Sequence, residues 1–70
     1  MVKISYNNLW KLLVDKNMNK TQLREISGLG TGTIAKLSKN EPVGLEILAK
    51  ICYALNCRIE NVVEFIYEKK

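Results

Sequence analysis

The residue types that usually perform catalysis are scarce in this 70-residue chain. It contains no histidine, and neither Cys52 nor Cys57 belongs to a motif that pairs a nucleophile with a general base. Residues 28–32 (Gly-Leu-Gly-Thr-Gly) are rich in glycine, but they follow a predicted helix and lack the Gly-Lys-Ser/Thr ending of a phosphate loop. We therefore expect a binding protein and not an enzyme.

The two cysteines could form a disulfide or bind a metal ion. They lie five residues apart, in a region that is typical of a helix end followed by a tight turn. Two thiols in a chain without histidine cannot complete a four-ligand zinc site. Free thiols in a reducing cytoplasm are the prediction. We expect no metal, no cofactor and no small-molecule ligand.

Positive charge is concentrated in the first part of the chain. Residues 1–39 carry seven basic and two acidic side chains, a net charge of +5, whereas residues 40–70 carry four basic and five acidic, a net charge of −1. The first part is therefore the candidate for contact with a polyanion. No apolar run approaches the roughly 20 residues of a membrane span, and no signal peptide is recognisable, which predicts one cytoplasmic domain over residues 1–70.

Apolar residues at helical spacing predict five short helices, and no segment shows the sustained alternation of a strand. The expected fold class is therefore all-α. The helices are predicted at about residues 6–16, 20–27, 31–38, 45–55 and 59–67. Ser5 and Asn19 are the predicted N-caps of the first two, and Gly28 is predicted to end the second. The fourth is the expected central helix, with an apolar face formed by Leu45, Leu48, Ala49, Cys52 and Leu55.

The second and third helices are joined by the short turn Gly28-Leu29-Gly30. Apolar residues on the inner sides of both helices, Leu23 and Ile26 in one and Ile34 and Leu37 in the other, would hold them at a steep angle. This arrangement is the helix-turn-helix signature. With one helix before and two after, the chain resembles the phage-repressor (Cro/C1-type, XRE) helix-turn-helix family, and more narrowly its short stand-alone bacterial members.

The resemblance covers about residues 6–66 and is most specific from Asn19 to Leu37. It implies a five-helix, lambda-repressor-like domain that binds specific sequences of double-stranded DNA, acts as a transcriptional regulator and represses. Two residues depart from the family pattern. Arg24 stands where many members have alanine, and Arg58 stands where an acidic or hydroxyl cap is more usual.

The resemblance also implies which residues meet DNA. The third helix, about residues 31–38, would enter the major groove as the recognition helix. Its base-contacting residues would be Thr31, Gly32, Thr33 and Lys36. The residues expected to contact the sugar-phosphate backbone are Lys20, Thr21, Lys39 and Asn40.

Many such domains bind DNA as twofold dimers, and the end of the chain is the expected interface. Phe65, Ile66 and Tyr67 exceed what one core face of a helix requires. The alternative is that the last helix only packs over the first and fourth. A second alternative concerns function: the same fold could serve as a protein-interaction module of the antitoxin or anti-repressor type. The positive charge and the small polar start of the third helix favour DNA.

Overall fold

Four α-helices, a single 3₁₀ turn and two short strands make up the computed structural model, which describes residues 2–68. In chain order the elements are β1 (Val2–Ser5), α1 (Asn7–Asp15), α2 (Lys20–Ser27), α3 (Thr31–Ser38), α4 (Leu45–Leu55), the 3₁₀ turn Ile59–Asn61 and β2 (Glu64–Tyr67). The fold is predominantly helical, as predicted, and the first four predicted helices are present. Across residues 2–68, none of the helices has the length and apolar character that crossing a membrane demands.

Each helix ends at or just before a residue in the left-handed backbone conformation. Asn17, Gly28, Asn40 and Asn56 have φ values of 56°, 72°, 57° and 52°. Glycine and asparagine adopt this conformation at the lowest cost among the amino acids, so each of the four stops a helix and turns the chain. Gly28 ends α2 as the sequence predicts.

The first two helices begin close to where the sequence predicts. Asn19 is the N-cap of α2, and it forms a capping box in which Asn19 Oδ1 accepts from the Gln22 N–H at 2.8 Å and Gln22 Oε1 accepts from the Asn19 N–H at 2.9 Å. The N-cap of α1 is Tyr6, one residue later than predicted. Ser5 still accepts a hydrogen bond on its Oγ from the Asn7 N–H, at 3.2 Å.

The predicted fifth helix is wrong: in the described residues the fold is predominantly helical, with four α-helices and a small two-strand sheet. Ile59–Asn61 forms one 3₁₀ turn, and β2 pairs antiparallel with β1 in a register that opposes Val2 to Tyr67 and Ser5 to Glu64. The segment is rich in β-branched and aromatic residues, which favour strands when a partner is at hand. That partner is the alternating segment Val2–Ser5, at the other end of the chain.

The core contains ten buried apolar side chains in the described part of the chain. They are Tyr6, Leu9, Leu13, Leu23, Leu29, Leu37, Leu48, Ile51, Leu55 and Val62. Helix α4 contributes Leu48, Ile51 and Leu55, while Leu45 and Ala49 are exposed, so its buried face is rotated from the predicted one. Ile26, predicted to face inward on α2, is also largely exposed.

One buried tyrosine ties the start of α1 to the loop after α3. Tyr6 is 1% exposed, its hydroxyl donates to the Glu41 carbonyl oxygen at 2.7 Å, and its N–H donates to Asn40 Oδ1 at 3.1 Å. Burial raises the pKa of the Tyr6 hydroxyl, and a hydrogen bond with the Val43 backbone opposes that rise. The protonated hydroxyl is therefore the form that the fold requires.

We expect Tyr6→Phe to lower the free energy of unfolding by about 1–2 kcal/mol, because the Glu41 carbonyl loses its donor. Since the pKa of Tyr6 is raised above its ordinary value of 10.0, the folded chain holds this proton where the unfolded chain releases it. The stability of the unchanged protein should therefore fall as pH rises above that value. In Tyr6→Phe this contribution to the fall should be absent. Urea unfolding between neutral and alkaline pH measures both effects.

The matched control is Tyr53→Phe, which removes a hydroxyl from a side chain that is 90% exposed. Its stability and alkaline slope should equal those of the unchanged protein. An alkaline slope that Tyr6→Phe leaves intact would contradict the role assigned to this hydroxyl.

Candidate nucleic-acid interface

Helices α2 and α3 are held together by three leucines that lie on one side of the pair. Leu23 in α2 and Leu37 in α3 are completely buried, and Leu29 in the turn between the helices is buried as well. Leu29 was predicted only as part of the turn, yet its side chain joins the core. Because these contacts use one side of each helix, the opposite side of α3 faces solvent.

The outward face of α3 is made of small and basic residues. Thr31, Gly32 and Lys36, three of the four predicted base-contacting residues, are exposed, whereas Thr33 is half-buried. Ala35, which was not among the predicted contact residues, is also exposed and lies on the same face. Its spacing from Thr31 and Gly32, four and three residues, is the signal that could have identified it.

The N-terminus of α3 lacks a side-chain cap in the part of the chain that the structure describes. Its N-cap is Gly30, whereas α2 is closed by the Asn19–Gln22 capping box. The first N–H groups of an α-helix have no partner within the helix and carry partial positive charge. Gly30, Thr31 and Gly32 are exposed, so an anionic or hydrogen-bond-accepting partner can approach the start of α3.

Gly32 is not required by the fold of the protein itself. A Cβ atom built on Gly32 has no atom within 4 Å, and among the glycines only Gly28 has a positive φ. Tight packing, a possible reason for glycine here, therefore does not apply. Glycine is a poorer helix former than alanine, by about 1 kcal/mol in a helix interior, so the stability of α3 does not explain a glycine in its first turn.

The predicted backbone-contacting residues lie around α3. Lys20 and Thr21 line a cleft of about 160 Å³ between α2 and α3, together with Arg24, Thr31 and Ile34. Arg24, a departure from the family pattern at the sequence level, thus adds a second basic side chain to this cleft.

Two of these residues also have contacts within the protein. Lys20 Nζ donates to Ser38 Oγ at 2.9 Å, and Asn40 Oδ1 accepts from the Tyr6 N–H at 3.1 Å. Lys39 is exposed at the C-cap of α3. The contacts of Lys20 and Asn40 therefore hold both side chains near the C-terminal end of α3, where Lys39 also lies.

The predicted interface residues Phe65, Ile66 and Tyr67 lie in β2 and not in a helix. All three are exposed, Phe65 to 58% and Tyr67 to 68%. Side chains alternate along a strand, so Phe65 and Tyr67 share one face with their cross-strand partners, and Ile66 lies on the other. The face that carries Phe65 and Tyr67 is apolar throughout: it consists of Val2, Ile4, Phe65 and Tyr67.

Comparison with known proteins points in one direction. Residues 8–68 match the sequence profile of the Cro/C1-type HTH DNA-binding domain. Among solved structures, the chain is similar to the crystal structure of the transcriptional regulator VanUg, Form II, with 48% sequence identity and a TM-score of 0.91; the match covers 96% of this chain and 89% of that one. No significant match to a curated protein sequence was found.

The open position of Gly32 leads to a prediction about stability. We expect Gly32→Ala to raise the free energy of unfolding by about 0.5–1 kcal/mol, because alanine favours the helix and the added methyl group meets nothing. Gly28→Ala is the matched change, and it should be destabilising because φ at Gly28 is +72°. Denaturant unfolding of both variants measures the contrast, and a loss of stability in Gly32→Ala would mean that the fold itself needs this glycine.

Proposed function

The chain belongs to the family of Cro/C1-type helix-turn-helix DNA-binding domains, and we propose that it regulates transcription by reading double-stranded DNA with α3 in the major groove. The observation that carries this proposal is the outward face of α3. It combines exposed small residues, an N-terminus without a side-chain cap and a glycine that the fold does not require.

The roles of the base-contacting residues follow from their chemistry and exposure. Thr31 can hydrogen-bond a base edge or touch a thymine methyl group, and Lys36 can donate to guanine O6 or N7. Gly32 lets the helix backbone approach the bases without a side chain in between. Thr33 is half-buried, so its side chain is less accessible to a base than that of Thr31. Ala35, on the same face, offers a methyl group for apolar contact with thymine.

Residues of α2 and residues that follow α3 would bind backbone phosphates and fix the register of α3 in the groove. On the α2 side these are Lys20 and Thr21, and after α3 they are Lys39 and Asn40. Asn40 Oδ1 is held by the Tyr6 N–H, which leaves the Nδ2 group to donate to a phosphate. Each lysine that neutralises a phosphate should add about one unit to the salt dependence of binding.

The protein would act as a homodimer through the apolar face of the ribbon, formed by Val2, Ile4, Phe65 and Tyr67. A ribbon of two strands has marginal stability by itself, and its two outer edges lack a pairing strand. A second copy that covers the apolar face would add to its stability. Two recognition helices about 34–36 Å apart would then meet successive major grooves of a palindromic site. A dimer seated on a promoter in the cytoplasm would exclude the polymerase and so repress.

The test is a titration of two labelled duplexes of equal length, one from the region upstream of the protein's own gene and one unrelated, at several salt concentrations. Thr31→Ala and Lys36→Ala should each weaken binding to the upstream duplex by about 1 kcal/mol or more and reduce the preference between duplexes. Lys39→Ala should weaken both alike and lower the salt slope by about one. Gly32→Ala should bind more weakly although its fold is more stable.

The control is Lys50→Ala, which removes one positive charge from the exposed surface of α4. It should leave the preference between duplexes unchanged. Equal affinity for both duplexes, unaffected by Thr31→Ala and Lys36→Ala, would contradict base reading and favour a protein-interaction module of the antitoxin or anti-repressor type. A reporter placed behind the upstream region should become more active when the gene is deleted, and reduced activity would contradict repression.

The dimer gives a separate prediction. Tyr67→Lys places a charge in the apolar face of the ribbon and should convert the dimer to a monomer in sedimentation experiments, with affinity for a palindromic duplex reduced by tenfold or more, as is typical for buried aromatic anchors. Tyr53→Lys is the matched change on an exposed tyrosine of α4. If Tyr67→Lys remains dimeric, the interface lies elsewhere.

A further inference from the structure

Three helices meet at the ammonium group of Lys20. This residue is the first of α2, and its Nζ donates a hydrogen bond to Ser38 Oγ, at the last position of α3, over 2.9 Å. The same Nζ lies 4.5 Å from the centroid of the Trp10 ring in α1. Trp10 and Ser38, which are far apart in the sequence, thus contact the same ammonium group.

The proton on the Ser38 hydroxyl is directed away from the lysine. Ser38 Oγ donates to the Ile34 carbonyl oxygen at 3.0 Å, one helical turn earlier. An ammonium group has three donors and no acceptor, so Ser38 must accept from Lys20. The bond to Ile34 uses the hydroxyl proton and turns the lone pairs toward Nζ, which makes Ser38 a fixed acceptor and not a freely rotating hydroxyl.

Neither partner of Lys20 neutralises its charge. The ion pairs found among residues 2–68 join Lys3 to Glu68 and Arg58 to Glu60, and neither includes Lys20. A serine oxygen and the face of an indole ring attract an ammonium ion while carrying no net charge. The residue is exposed and lies at the cleft between α2 and α3, so its remaining donors can reach an anion.

We propose that Trp10 and Ser38 are positioning residues that hold the Lys20 ammonium ready for one backbone phosphate of duplex DNA. The inference rests on the proposed function and adds to it two residues that do not themselves need to touch DNA. A lysine side chain is long and loses considerable rotamer freedom when it is fixed. Here the Lys20 side chain is already held in place in the free protein. Less conformational entropy is then lost on phosphate binding, so more of the electrostatic attraction contributes to affinity.

A double-mutant cycle on Lys20 and Ser38 tests the inference, with affinity for the unrelated duplex as the readout because phosphate contacts do not depend on sequence. Lys20→Met should weaken binding and lower the salt slope by about one. Ser38→Ala should weaken binding roughly two- to tenfold while it keeps the salt slope, since the charge remains but is no longer fixed. In the Lys20→Met background, Ser38→Ala should have no effect.

A loss from Ser38→Ala that is equal in both backgrounds overturns the inference, because Ser38 would then contact DNA itself. The inference is also overturned if Ser38→Ala binds the duplex as tightly as the unchanged protein does. Trp10→Phe, which keeps an aromatic face, should retain more affinity than Trp10→Leu. Urea unfolding of both variants separates this effect from instability, since Trp10 is half-buried. Equal affinities of two stable variants contradict the role of the ring.

Trp10 is the only tryptophan in the chain, so its emission reports on this cluster without DNA. Lys20→Met should change the intensity of that emission, and Lys50→Met, on α4, should not. An emission that Lys20→Met leaves unchanged overturns the placement of the ammonium group. An unchanged protein that binds neither duplex overturns the proposed function and this inference together. Additive effects in a protein that does bind DNA overturn the inference alone.

Discussion

The structure depends above all on the burial of a few leucines between α2, α3 and α4. Leu23, Leu29 and Leu37 join the helix pair to a core that also contains Leu48 and Ile51 of α4. In a chain of this length the core is small, so each buried side chain carries a large share of the stability. The same contacts fix the angle between α2 and α3 and decide which side of α3 remains outside.

The outward side of α3 departs from what helix stability alone would select. A glycine stands in the first turn where alanine would fit, and no side chain caps the N-terminus of the helix in the described residues. The glycine costs up to about 1 kcal/mol relative to alanine, and Gly30 at the N-cap costs a few tenths of a kcal/mol relative to a side-chain cap. The adjoining α2, by contrast, carries a complete capping box at its N-terminus. This division is the pattern expected when one surface is kept for a partner that supplies the missing contacts.

The loop after α3 connects this helix to the rest of the molecule. Asn40 ends the helix with a positive φ, accepts a hydrogen bond from Tyr6 and precedes Glu41, whose carbonyl accepts from the Tyr6 hydroxyl. Lys20 makes a second connection, from the start of α2 to Trp10 and Ser38. Both connections hold the C-terminal end of α3, one to α1 and the other to α2 and α1.

The four helices, the turn at Gly28, the N-cap at Asn19 and the family were predictable from the sequence, because they depend on spacing and on contacts between near neighbours. The exposure of Thr31, Gly32 and Lys36 was predictable as well, since the inner residues of α3 are apolar. The strand at residues 64–67 depends instead on the folded chain. Their apolar side chains suit either state, and the choice depends on backbone hydrogen bonds with Val2–Ser5, about sixty residues away. The cluster around Lys20 was likewise decided by three helices that meet only in the folded chain.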